Sequence, residues 1–243
     1  MDRIPDSGSD DGGSIPPRCT SNLFFMKHLM LLYLVIGLML LIGCSNNKSF
    51  EFNNGDLLFI VGAGNSELLS AIQNSTAKDK QLPFTHVGIL EITDMNDTVV
   101  IEATAPEGVV ITPIRKFFDK TATLNNKKLL AVGRLKPEYQ YVIPQAIINA
   151  KNYLGRSYDY AYDEENVNIY CSELVRFSFK DSIGCLLFDP IAMTFKNQKT
   201  GQFDPFWIKI YNNMELEIPE GKNGTNPTDM FTSNKLDIVR TFY

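Results

Sequence analysis

Three residues of this chain have the types and spacing to carry out thiol chemistry together. Cys171 heads the run Cys171-Ser172-Glu173-Leu174-Val175, and the apolar residues Leu174, Val175, Phe179 and Ile183 that follow recur at helical spacing. A cysteine at a helix N-terminus faces unpaired backbone N–H groups and the positive end of the helix dipole, which together favour the nucleophilic thiolate. A buried structural cysteine would have the same local sequence, so the rest of the chain must decide. A cysteine hydrolase also needs a base that takes and returns a proton, and a group that orients the base. Of the two histidines, His28 lies in an N-terminal segment that reads as a secretory signal, which leaves His86 as the base. Glu102 supplies a carboxylate sixteen residues further on and completes the set Cys171, His86 and Glu102. One histidine and two separated cysteines make no cluster at zinc-ligand spacing, so neither a metal nor a cofactor is implied.

The elements that must position these residues can be read in order. Gly55 to Val61 reads as a turn feeding an apolar strand, and Ser66 to Asn74 as a short amphipathic helix. Phe84 to Ile92 is a strand with His86 near its start, and the polar loop Thr93 to Asp97 joins it to a strand from Thr98 to Ala103. A hairpin closed by that loop puts His86 opposite a residue near 102 to 104, so Glu102 is a direct or diagonal neighbour. There a carboxylate can orient the imidazole and favour its charged form. Val109 to Ile114 and Leu129 to Leu135 read as further strands, with Arg115 to Asp119 a short turn or helix between them. Tyr139 to Leu154 has a helical pattern ended by Gly155, and the polar loop 156–169 carries Tyr158, Tyr160 and Tyr162. A helix from Cys171 to Ile183 would hold Cys171 and Cys185 too far apart for a disulfide. Residues 186–206 read as mixed loop, Trp207 to Met214 as either strand or helix, and Leu236 to Phe242 as a closing strand.

At 243 residues, 44% hydrophobic and 21% charged, the chain can build one good-sized globular domain. The net charge of -5 comes without a basic block, so nucleic acid is not an expected partner. Residues 1–25 are rich in Asp, Ser, Gly and Pro and read as an upstream segment, non-native or disordered, with Met26 the expected true start. Met26-Lys27-His28 then leads into the apolar run Leu29 to Ile42, which ends Leu41-Ile42-Gly43-Cys44. A short positive region, an apolar core and a small residue before the cut describe a secretory signal. The run is shorter than the roughly 20 apolar residues that span a bilayer. Because a cysteine follows the cut, residues 26–43 resemble the signal peptide of bacterial lipoproteins, whose cysteine, here Cys44, is lipidated. The expected organisation is therefore a tether over 44–54 and a domain over 55–243, held at the bacterial cell envelope by a lipid anchor.

Two blocks of the sequence resemble a known family. Gly55-Asp56-Leu57-Leu58-Phe59 followed by His86-Val87-Gly88-Ile89 is similar to the histidine module of the NlpC/P60 cell-wall peptidases. Leu154-Gly155-Arg156-Ser157-Tyr158 followed by Cys171-Ser172-Glu173-Leu174-Val175 is similar to their cysteine module. The histidine module comes first here, the order of the circularly permuted, YiiX/YebB-like branch with a papain-like fold. The tail Asn226-Pro227-Thr228-Asp229-Met230 resembles an element near the end of that group. The resemblance implies an α+β fold in permuted order, an antiparallel sheet or partial barrel packed on the cysteine-bearing helix. It further implies Cys171 as nucleophile, His86 as base and Glu102 as orienting member. Tyr158 then lines the cleft and donates toward the oxyanion, as do the N–H groups at the start of the cysteine helix, around Ser172. Cysteine amidase or peptidase activity on short cell-wall peptides is the implied function. A lipid or N-acyl transferase on the same thiol site, or a non-catalytic binding lipoprotein on this scaffold, are the alternatives. Tyr170 replaces the aspartate that precedes the cysteine in murein peptidases, and Glu173 replaces a glycine, so recognition of a peptide amine would have to come from Asp159 or Glu173.

Overall fold

A computed structural model describes residues 50–64, 66–76 and 81–243. The expected upstream segment, the signal and the lipidated Cys44 lie outside the described residues. A six-stranded antiparallel sheet organises the domain, in the spatial order β10-β7-β1-β2-β3-β4. In chain order its strands are β1 (Leu57–Ile60), β2 (His86–Ile92), β3 (Thr98–Thr104), β4 (Gly108–Pro113), β7 (Leu130–Leu135) and β10 (Leu236–Thr241). The minor strands β5 (Thr123–Leu124) and β6 (Lys127–Lys128) form one small hairpin, and β8 (Ile191–Ala192) pairs with β9 (Asn223–Gly224). The order leaves β4 and β10 as edges, so the sheet stays open and does not close into a barrel.

The period-2 alternation of the strands sorts their side chains onto two cores. Leu57, Phe59, Val87, Ile89, Ile101 and Ala103 face the larger core. That core is completed by helices α3 (Ile143–Lys151) and α4 (Cys171–Ser178). Leu58, Ile60, Leu90, Val100 and Val132 face the other side, where helix α2 (Ile114–Asp119) inserts Phe117. Asp56, in the turn before β1, is fully buried and takes two hydrogen bonds from Arg134 of β7, so this acid of the Gly-Asp motif fastens strands rather than entering a cleft.

Several boundaries differ from the sequence reading for identifiable reasons. The predicted helix 139–154 is a 3₁₀ turn over Pro137–Val142 followed by α3. Pro144 has no N–H to donate and its ring clashes with the preceding turn, so the α-helix starts beside it instead of running through. Helix α4 ends at Ser178 and Phe179 is extended, which leaves Ile183 exposed; Cys171 and Cys185 are both free thiols. The ambiguous segment around Trp207 is helix α5 (Pro205–Met214), opened by Asp204 accepting from Phe206 N–H and by Pro205 at its first position. Helix α1 (Glu67–Thr76) and the short α6 (Pro227–Phe231), capped by Asn226, complete the fold.

Candidate active site

The β2–β3 hairpin brings the base and the carboxylate together. Ile89 pairs with Ile101, so the register continues to Gly88 opposite Glu102 and His86 opposite Thr104. Glu102 is thus the diagonal neighbour of His86 on the same face, and His86 Nε2 lies 2.6 Å from Glu102 Oε2. Gly88 makes the fit possible. A Cβ there would stand 2.4 Å from Val100 and 3.1 Å from the Phe117 ring, which occupies this space and lies 5.7 Å from the imidazole. As the first residue of β2, His86 sits at the end of the sheet, where it also interacts electrostatically with Cys171 on α4. Its Nε2 is committed to Glu102, which leaves Nδ1 for the thiol.

Charge follows from these contacts. Burial alone would lower the His86 pKa, but its interactions with Cys171 and Glu102 outweigh it and raise it to about 9. Burial alone would raise the pKa of Glu102, but His86, Lys120 and Thr112 together hold it down to about 2. Lys120, which follows α2, donates to Glu102 Oε1 at 2.7 Å. Neither Lys120 nor Thr112 is marked as functional by sequence pattern; Lys120 reaches Glu102 from the end of α2, and Thr112 from β4, the strand paired with that of Glu102. The His86 side chain is 14% exposed, whereas Glu102 is fully buried, so solvent reaches the imidazole but not the carboxylate.

Helix α4 places the thiol. Its first intrahelical bond runs from Leu174 N–H to Tyr170 O, so the N–H groups of Cys171, Ser172 and Glu173 precede the helical ladder. The Ser172 hydroxyl is fully buried and donates to Thr225 O, so Ser172 can serve the site only through its backbone N–H. Tyr158 reaches the site from loop 156–169, docked by Val109 N–H to Arg156 O. Gly108 permits that approach: it has φ +78°, and a Cβ there would stand 2.0 Å from Arg156 O. The Tyr158 hydroxyl is 3.2 Å from that of Tyr162, and burial pushes its pKa well above the usual phenol range, so it stays protonated and able to donate.

The two acids expected to hold a peptide amine are instead engaged with the backbone of their own segments. Asp159 is buried and accepts from the Ala161 and Asp163 N–H groups, folding its own loop. Glu173 is fully buried, accepts from Tyr170 N–H, and burial raises its pKa to about 9, so it is neutral near pH 7. Tyr170 is also buried, its hydroxyl accepting from Thr225 N–H.

Two cavities meet at this centre. One, of about 40 Å³, is lined by Cys171, Ser172, Ile72, Met193, Phe195 and Trp207 among others. The second, of about 260 Å³, is lined by His86, Lys120, Thr104, Ala105 and Ser66 among others. Tyr158 lines both.

A thiol at a helix head, an imidazole beside it and a buried carboxylate behind the imidazole, set on an antiparallel sheet, define a papain-like thiol centre. Residues 51–240 match the family of permuted papain-like amidase enzymes, YaeF/YiiX, C92, and the chain belongs to that family. It is 25% identical over 195 residues to the uncharacterized protein YiiX of Escherichia coli K12, covering 79% of this chain and 87% of that protein. The crystal structure described as metalloprotein yiiX from E. coli O157:H7 shares the fold at a TM-score of 0.61 and 21% identity. The match covers 79% of this chain and 98% of that one.

Proposed function

We propose that this protein is a cysteine amidase in which Cys171 is the nucleophile, His86 the base and acid, and Glu102 the orienting carboxylate. It would act on short amide-linked peptides of the bacterial cell envelope, where a lipid at Cys44 would hold it. The observation that carries this reading is the position of His86, hydrogen-bonded to Glu102 and close enough to Cys171 to interact with it electrostatically. Its charged form can stabilise a thiolate and then supply a proton. Cys171 Sγ attacks the amide carbonyl carbon and the C–S bond forms. The oxyanion faces the first N–H groups of α4 and the Tyr158 hydroxyl. His86 gives its proton to the leaving nitrogen as the C–N bond breaks. Water then adds to the thioester, passing a proton to His86, and the acid leaves.

The E. coli structure is described as that of a metalloprotein. Among the described residues here, no group of three His, Cys, Asp or Glu side chains is placed to hold a metal ion, and Lys120 already occupies the second oxygen of Glu102. These residues do not suit a metal, and no step is routed through one. The apolar cavity beside Cys171 supports a second reading, in which an amine or alcohol takes the acyl group in place of water.

The test is alkylation by iodoacetamide, read by peptide mass spectrometry, with exposed Cys185 as internal control. Cys171 should react faster than Cys185 despite its burial, and His86→Ala should remove that excess. If Cys171 stays less reactive than Cys185 in both proteins, the amidase reading falls and a binding scaffold becomes the better account.

A further inference from the structure

Resting on the membrane attachment proposed at Cys44 but not on the amidase reading, we infer that the face of the sheet opposite helix α4 docks on an anionic lipid bilayer. The aromatic residues around Phe50 and the basic residues of α2 and the β5–β6 hairpin meet the headgroups.

The chain enters the domain on this face. Phe50 and Phe52 pack against the core built from Leu58, Leu90, Val132 and Phe117. Their rings lie 5.0 Å apart, with Phe52 6.1 Å from Phe118 of α2 and Phe50 6.3 Å from Phe242, which follows β10. Arg134 donates to Glu51 O at 3.1 Å, and Asn53 N–H donates to Asp56 at 2.8 Å. Residues 50–54, expected to belong to a tether, are therefore fastened to the sheet, and only residues 45–49 separate Cys44 from Phe50. At about 3.3–3.6 Å per residue, that stretch spans no more than ~20 Å. The apolar run ending at Ile42 lies two residues further back. A lipid on Cys44, or the run itself if it is kept, brings a bilayer within reach of this face.

Charge points the same way. The chain has a net charge of -5, yet residues 114–136 hold seven Lys or Arg against the single acid Asp119. Lys120 and Arg134 are spent on the buried carboxylates of Glu102 and Asp56. Arg115 and Lys116 stand exposed on α2, whose Phe117 fills the core beneath them. Lys127 is exposed on the hairpin, which Lys128 ties to α2 by donating to Phe118 O. Among the described residues Arg115, Lys116 and Lys127 form no ion pair. Anionic headgroups attract such cations within a Debye length, and half-buried rings beside them gain from the headgroup boundary. Helix α4 and the cavity beside Cys171 then lie on the far side of the sheet, turned away from the lipid.

The experiment is a lysine footprint of the full chain, in detergent and on preformed vesicles of POPC with about one-third POPG. Accessible lysines are acetylated with sulfo-NHS acetate and read by peptide mass spectrometry. On vesicles Lys116 and Lys127 should be acetylated about threefold or more slowly than in detergent. Lys209 on α5 and Lys222 beside β9, both well exposed, should keep their rates. The double variant Arg115→Glu/Lys116→Glu should return Lys127 to its detergent rate. Acids suit the first turn of a helix, and unchanged alkylation of Cys171 certifies the fold. Equal acetylation of all four lysines on vesicles, protection of Lys209 and Lys222 instead, or protection of Lys127 that survives the double variant would each overturn this face while the membrane attachment stands. If the chain binds no vesicles, the attachment falls and takes this inference with it.

Discussion

Glu102 and Glu173 are both fully buried glutamates, about as shielded from water as side chains can be, yet the structure puts them in opposite states. Glu102, at the end of the sheet, has His86 on one oxygen and Lys120 on the other and is ionised down to about pH 2. Glu173, in the first turn of α4, has one backbone donor. Its other oxygen has no partner among the described residues, and it holds its proton up to about pH 9. Burial penalises charge in both places, and a pair of cations reverses the outcome in only one. The difference separates a carboxylate paired with an imidazole and an ammonium from a carboxylic acid that packs under a helix.

The largest effect should come from removing the group that makes the Glu102 charge useful. His86→Ala is expected to lower amide turnover by about 10²–10⁴-fold, measured as kcat/KM on a neutral acyl anilide with unchanged circular dichroism. A loss of only a few-fold would mean that another group handles the proton.

Glu102→Gln should come next, with a signature that a packing defect would not produce. His86 is raised to about 9 partly by this carboxylate, so the protonated ring needed by the leaving amine persists to alkaline pH. In Glu102→Gln the alkaline limb of the rate profile should move toward neutrality by about one pH unit or more. Linked stability has the matching sign. The His86 contribution is full below about 6.5 and lost as pH rises through about 9, and that of Glu102 is full above about 4.5 and lost as pH falls through about 2.

Glu173→Gln should behave oppositely. Because the folded acid is protonated up to about pH 9 while the unfolded one ionises near 4.5, folding takes up a proton between those values, and the native state loses stability as pH rises. Gln keeps an acceptor for Tyr170 N–H and removes that cost. By calorimetry the variant should gain on the parent protein from pH 5 to pH 8, by about 2–4 °C for each 1 kcal/mol recovered, with activity at pH 7 little changed. A variant destabilised equally at both pH values would show that Glu173 is ionised when folded.

The smallest effect is expected from Lys120→Met. With one cation gone, Glu102 keeps His86, so turnover should fall only a few-fold while the acid limb moves upward. Rescue by Lys120→Arg would confirm that charge at Oε1 matters more than side-chain shape.

The sequence carried much of this site. A period-2 strand pattern and a short polar loop were enough to make Glu102 a neighbour of His86, because antiparallel register ties sequence distance to space. Helical spacing placed Cys171 at a helix head for the same reason, although that helix stops at Ser178. The segment at Trp207 remained open because a short apolar run fits either element. Asp204-Pro205 before it was the overlooked helix-start signal. The predicted helix 139–154 ignored the cost of Pro144.

What the chain determined by itself was its inventory: one histidine outside the N-terminal segment that reads as a secretory signal, one cysteine at a helix head and one carboxylate on the paired strand. Those are local facts, fixed by residue type and by the two short periods of helix and strand. Tertiary structure decided the charge states and the cavities. Lys120 meets Glu102 across a packed face, Glu173 forms no ion pair among the described residues, and the Cys171 pocket assembles from α1, α4, α5 and the loops between them. Solvation and electrostatic contact act through space, and no spacing along the chain encodes them.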